Sequence, residues 1–141
     1  MELSPEIRAL IESGPPAHLV TLNEDGSPQV TIVWIGLDGD ELVIGHLPRN
    51  QKVQNIERDG RVAVSIETDG KSALGLTEYA VLYGRARIQE GGGAALLQQL
   101  AEVYLGSGVK FPPMDEPPAG YVTRIRVDRV EGVGPWTGRA V

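Results

Sequence analysis

The stretch Gln29–Lys52, Q-V-T-I-V-W-I-G-L-D-G-D-E-L-V-I-G-H-L-P-R-N-Q-K, constrains the fold more than any other part of the chain. Val30–Ile35 is apolar at almost every position. Side chains alternate between the two faces of a strand, so Val30, Ile32 and Trp34 share one face and Thr31, Val33 and Ile35 the other. A half-solvated antiparallel sheet has one polar face. This strand lacks one, so its outer face needs a cover: a second subunit, a helix or a flat ligand. The pattern alone favours a homodimer interface. Asp38-Gly39 supplies a tight turn, because Gly accepts the positive φ such turns need. Glu41–His46 is then the returning strand of a hairpin with Val30–Ile35.

The hairpin runs straight into a short helix. Asn50 is a good N-cap, since its side-chain carbonyl accepts from an otherwise unpaired backbone N–H. Val53 and Ile56 give the helix an apolar side, and Gly60 is placed to end it. Arg49 and Lys52 flank its start, where free N–H groups and the dipole favour an anion. Two cations there do not complement the dipole, and a phosphate between them would offset the repulsion. Two solvated surface cations are an equally open reading of the same residues.

The other elements follow in order. Ser4-Pro5 begins a helix that puts Ile7, Leu10 and Ile11 on one face, and Gly14-Pro15-Pro16 ends it. Ala17–Leu22 is a strand carrying His18 as a rim residue, and Asn23-Glu24-Asp25-Gly26 is a hairpin turn that joins it to Gln29–Ile35. Arg61–Glu67 alternates, with Val62, Val64 and Ile66 toward the core. Thr68–Lys71 is expected to turn, and Ser72–Leu76 is ambiguous. Thr77–Ile88 is a long strand whose Arg85 and Arg87 are expected to pair with carboxylates of neighbouring strands. Gly91-Gly92-Gly93 lacks the strand–turn–helix and lysine context of a nucleotide loop and reads as punctuation. Ala94–Leu105 is an amphipathic helix. Lys110–Ala119 holds four prolines and forms a surface loop. Tyr121–Val130 is the last strand, and Trp136 packs, anchors a dimer or covers a ring.

Composition narrows the chemistry. A chain of 141 residues suits one domain, 1–141, with a modest core. A formal net charge of −6 argues against a dedicated nucleic-acid binder. There is no cysteine, which excludes disulfides, thiolate metal sites and a cysteine nucleophile. No apolar run approaches the ~20 residues a membrane span requires, and Met1–Ile11 does not resemble a secretory signal, so the cytoplasm is the expected location. Two histidines, His18 and His46, are too few for most metal sites. No G-x-S-x-G elbow occurs, and Asp38 and Asp40 sit in a turn. Any reaction must lean on a cofactor, for which the protein supplies binding, orientation and electrostatics.

The ordered set A-H-L-V-T-L-N-E-D-G-S-P-Q-V-T-I-V-W, R-N-Q-K-V-Q-N-I-E-R-D-G-R-V-A-V-S-I and a terminal G-P-W resembles the split-barrel flavin and deazaflavin proteins. That superfamily includes the pyridoxamine-phosphate oxidases, and within it the chain is most similar to the coenzyme F420-dependent oxidoreductases. The resemblance runs from about Ile7 to Trp136. It implies a mainly β fold, a six- to seven-stranded antiparallel split barrel with flanking helices. It also implies a homodimer with the cofactor in a groove between protomers. By family position the cofactor contacts are Gln29, Val30, Thr31, Val33, Gly45, His46, Leu47, Arg49, Asn50, Lys52 and Asn55, with Lys52 foremost at the phosphate. The resemblance also implies that the loop carrying Phe111 and Met114 borders the substrate pocket. The implied activity is hydride transfer from deazaflavin C5 to an unsaturated small molecule such as a quinone, an enone or a tetrapyrrole. FMN is the alternative cofactor, although FMN relatives carry more cations at the phosphate site. A non-catalytic carrier of F420, FMN or haem is a third reading.

Overall fold

The computed structural model describes residues 1–136; the end of the domain expected over 1–141 lies outside the described residues. The order is α1 (Pro5–Glu12), β1 (Ala17–Leu22), β2 (Pro28–Val33), β3 (Gly36–Asp38), β4 (Glu41–His46), α2 (Gln51–Arg58), β5 (Arg61–Lys71), β6 (Thr77–Glu90), α3 (Gly93–Tyr104) and β7 (Tyr121–Val133). The strands form one seven-stranded sheet in the order β2-β1-β5-β6-β7-β4-β3. Every pairing is antiparallel. Chain geometry shows why this sheet curls. Laid flat, its outermost strands would stand about 29 Å apart, at about 4.8 Å per strand. Those strands, β2 and β3, are separated in the chain only by Trp34 and Ile35. Three Cα steps span about 11 Å at most. The two edges are therefore drawn together and the sheet becomes a split barrel.

The barrel interior is apolar. Leu19, Leu42, Ile44, Val64, Ile66, Leu82, Ile125 and Val127 are all buried in one cluster. α1 adds Ile7, Leu10 and Ile11, and α2 adds Ile56. Both helices have the expected side-chain caps: Ser4 Oγ accepts from Ile7 N–H at 3.3 Å and Asn50 Oδ1 from Val53 N–H at 3.2 Å. No helix among the described residues is long and apolar enough to cross a membrane.

Three local expectations change. The hairpin is not formed by Val30–Ile35. β2 pairs with β1 across the expected Asn23–Gly26 turn, from Ala17↔Val33 to Leu22↔Pro28, but not with β4, which turns back from the short β3 instead. The chain leaves the strand at Trp34-Ile35, where Ile35 N–H donates to Tyr104 Oη at 3.1 Å. The apolar alternation runs unbroken through this bend and so conceals it. Secondly, Thr68–Lys71 does not turn; β5 continues to Lys71 with a register shift after Glu67. The turn is Ser72–Leu76, closed by Ser72 N–H on Leu76 O at 2.8 Å. Thirdly, α2 ends at Asp59 in an extended conformation. Gly60 is needed for close approach, since a Cβ there would lie 2.6 Å from Ala86 O. Arg87 does meet a carboxylate, Glu41, at 2.5 Å, two strands away across β7.

Candidate functional site

β2 bonds to β1, and β4 to β3 and β7, but β2 and β4 do not pair with each other. The seam between them opens into a pocket of about 420 Å³. That volume is in the range of small-molecule sites. Ile32 and Val33 line it from β2; Ile44, Gly45 and His46 line it from β4. Leu47, Pro48, Asn50 and Lys52 continue the wall into α2. α3 packs closely here because neither contact residue has a side chain. A Cβ on Gly45 would lie 2.9 Å from Gly93 O, and one on Gly93 only 2.3 Å from His46 O.

One end of the pocket is polar. Lys52 is half-buried, and its Nζ donates to Thr31 Oγ1 at 3.2 Å. Among the described residues it makes no ion pair with a carboxylate, and burial pulls its pKa below the ordinary lysine value. A desolvated cation without a counter-charge favours a bound anion. Arg49 differs: it is exposed and paired with Glu57 at 2.8 Å. The start of α2 adds N–H groups without intrahelical partners, as at any helix start. His46 is buried and hydrogen-bonded through Nε2 to Thr123 Oγ1 at 2.7 Å. Burial, reinforced by the nearby Lys52 charge, pushes its pKa down to about 4. It is therefore neutral near pH 7 and supplies a fixed polar wall.

The other end is aromatic. Trp34 stacks on Tyr104, with centroids 5.4 Å apart and planes at 16°. Phe111 meets Trp34 at 5.1 Å and 58°. Tyr104 is itself fixed, because its hydroxyl donates to Pro15 O at 2.9 Å while accepting from Ile35 N–H. Pro16 and Leu97 also line the pocket, Leu97 packing over Gly45.

The structure gathers Val33, Gly45, His46, Leu47, Asn50 and Lys52 around the pocket. Thr31 reaches it only through Lys52. Val30 points outward and is 58% exposed, as is its neighbour Ile32 at 66%. Asn55 is fully buried beneath α2, away from the pocket lining. Its Nδ2 donates toward Thr21 Oγ1 (3.0 Å), Asn23 Oδ1 (2.9 Å) and Gln29 Oε1 (3.3 Å). Its Oδ1 accepts from Gln51 at 2.8 Å and Arg58 at 3.1 Å. Asn55 and Gln29 thus tie α2 to the β1–β2 hairpin. Of the two loop residues, Phe111 lines the pocket and Met114 is exposed outside it. Trp136 packs against the barrel core and donates to Tyr79 O at 2.9 Å. Sequence reasoning did not name among the contacts the lining residues Ile32, Ile44, Pro48, Pro16 and Leu97, nor Tyr104, which backs Trp34. Leu97 and Tyr104 occupy apolar positions of α3 and carried only a core signal. No cluster of three potential metal ligands occurs among the described residues.

A mainly β split barrel with a seam pocket, aromatic at one end and cationic at the other, defines a small-molecule-binding protein of the split-barrel type. The chain belongs to the pyridoxamine 5'-phosphate oxidase family, whose model matches residues 3–134. No curated protein matches the sequence. Among solved structures it is similar to an F420 reductase, at 27% identity and a TM-score of 0.68, over 88% of this chain and 94% of the other. A conserved hypothetical protein from Mycobacterium tuberculosis is 25% identical with a TM-score of 0.70, over 92% of this chain and 84% of the other. HupZ from group A Streptococcus shares the fold at 19% identity and a TM-score of 0.67, over 95% and 96% of the two chains. The fold is therefore that of a superfamily of flavin and deazaflavin oxidoreductases.

Proposed function

We propose that the protein is a coenzyme F420-dependent reductase acting in the cytoplasm on an unsaturated small molecule. The observation that carries this reading is Lys52: a half-buried cation with no carboxylate partner among the described residues, beside Asn50 and His46 at the polar end of a pocket whose remaining walls are apolar and aromatic. This donor set suits a phosphate joined to a flat ring. Similarity to a structure named F420 reductase supports the same choice. The bound coenzyme would supply a hydride at C5. The protein's part is to hold and orient it. Lys52, Asn50 and the first N–H groups of α2 would bind the phosphate, with Thr31 aiming Lys52. F420 carries an acidic poly-glutamate tail, and Arg49, exposed beside its Glu57 partner, is one cation that would meet it. His46 is held neutral against Thr123, so it orients rather than donates protons, which would come from solvent or the cofactor environment. The exposed Val30 and Ile32 would be covered by a second copy of the chain, placing the coenzyme at a dimer interface.

Titration of F420 fluorescence against the protein and Lys52→Ala tests this directly. Loss of one charge-assisted contact should cost about 1.5–3 kcal/mol, roughly ten- to a hundredfold in affinity. Equal affinity in both proteins would move the phosphate away from Lys52. No F420 binding, with FMN bound tightly in its place, would reassign the cofactor to FMN.

A further inference from the structure

The segment between α3 and β7 is long and proline-rich, yet Phe111 within it forms a wall of the pocket. Residues 107–118 make only two hydrogen bonds to the rest of the described protein, and one side chain makes both. Gln98 Nε2 donates to Val109 O at 2.7 Å, and Gln98 Oε1 accepts from Phe111 N–H at 2.8 Å. The amide therefore grips the backbone on either side of Lys110 and fixes where Phe111 enters the pocket. Leu97, the next residue of α3, already lines the same pocket. Helix position and loop position are thereby locked together.

We propose that Gln98 is a positioning residue. Through its paired bonds it sets Phe111 against Trp34, and the notch so formed selects a planar, uncharged ring. Three features argue for that ligand class. The two rings stand at 58°, so a flat guest can stack on one while meeting the other edge-on. Pro16 and Leu97, which also line the pocket, are apolar. Among the described residues the pocket lining contains no carboxylate and one cation, Lys52, at the polar end. The inference rests on the F420 reading only in assigning Lys52 to the cofactor and leaving the notch to the substrate.

The experiment is calorimetric titration of the full chain with menadione, a flat uncharged ring, and with camphorquinone, a caged diketone. F420 is titrated in parallel. Wild type should bind menadione about tenfold more tightly than camphorquinone, as expected for one aromatic contact plus its buried area. Gln98→Ala should weaken menadione about tenfold and leave F420 within about twofold. Phe111→Ala should lose as much, and the double variant no more than either single one, because both changes remove the same contact. Gln98→Glu retains the acceptor for Phe111 N–H and loses the donor to Val109, so it should fall between wild type and Gln98→Ala. It also provides a folded comparison should the alanine variant unfold. Additive losses, unchanged menadione affinity in Gln98→Ala, or an equal loss of F420 would each overturn the assignment. So would a wild type that binds F420 but shows no preference for menadione, and the cofactor reading would then survive alone. Menadione binding with the same Gln98 dependence but no F420 binding would sink the cofactor reading and leave this one standing.

Discussion

α1 and α2 are both eight residues long, and each is capped by a side chain at its start. They hold their places by different physics. α1 buries Ile7, Leu10 and Ile11, all apolar. α2 buries Val53 and Ile56 but sets Asn55 between them, with five hydrogen-bonding neighbours. Arg58 adds a bond to Leu22 O. Apolar burial is non-directional, so it holds a helix against the barrel without fixing its rotation closely. Hydrogen bonds require distance and angle together. The helix that only closes the barrel buries apolar groups alone, its directional contacts from Arg8 to Gly39 O and Asp40 lying exposed at the surface; the helix that presents Asn50 and Lys52 to the pocket buries a hydrogen-bonded amide as well.

The largest effect expected from breaking this contrast is at Ile11. Ile11→Ala should lower stability by about 2–5 kcal/mol in urea denaturation, while F420 affinity of the folded protein stays unchanged. An affinity loss of tenfold would show that α1 also positions the site. Acid sharpens the contrast, because α1 buries no titratable group whereas the pocket wall beside α2 buries His46. Its folded pKa of about 4 lies below its ordinary value of 6.5, so the unfolded chain takes up the proton first. Stability is fully present above pH 6.5 and falls as the pH drops toward 4. The loss is about 3 kcal/mol. Urea midpoints at intermediate pH values should follow this slope, and His46→Gln should flatten it.

Asn55→Ala comes next, at about 1–3 kcal/mol for the partners it strands. Unlike Ile11→Ala, it should also weaken F420 severalfold, because the start of α2 loses its anchor to the β1–β2 hairpin. Thermal melting and titration on one preparation separate the two losses. The caps give the smallest pair. Ser4→Ala and Asn50→Ala should each cost about 1 kcal/mol in melting experiments, but only Asn50→Ala should reduce coenzyme affinity. Equal ligand effects would erase the distinction between the two helices.

Local chemistry made much of this legible. β1 and β4 have the expected bounds, and both caps lie where their residue types place them. Lys52 stood out as a cation at a helix start. What stayed hidden depends on distant chain. Trp34-Ile35 carries no glycine or proline to mark its bend; the partner that takes Ile35 out of the strand is Tyr104, far along the sequence. Asn55 sits in a motif that suggested a ligand contact, and only the fold of the β1–β2 hairpin over it shows where its amide points. Gln98 belongs to a helix with ordinary amphipathic spacing. Its grip depends on the path of a loop whose prolines prescribe no regular pattern.

The bend at Trp34 also equips the molecule with an optical gauge. The chain contains two tryptophans, Trp34 and Trp136. Trp34 stands in the seam against Tyr104 and Phe111, whereas Trp136 packs elsewhere, beside Tyr79. Replacing Trp136 with phenylalanine leaves one indole emitter, built into the wall where the barrel is split. Its emission wavelength and quenching then register filling, emptying or widening of that seam in real time, without any attached label.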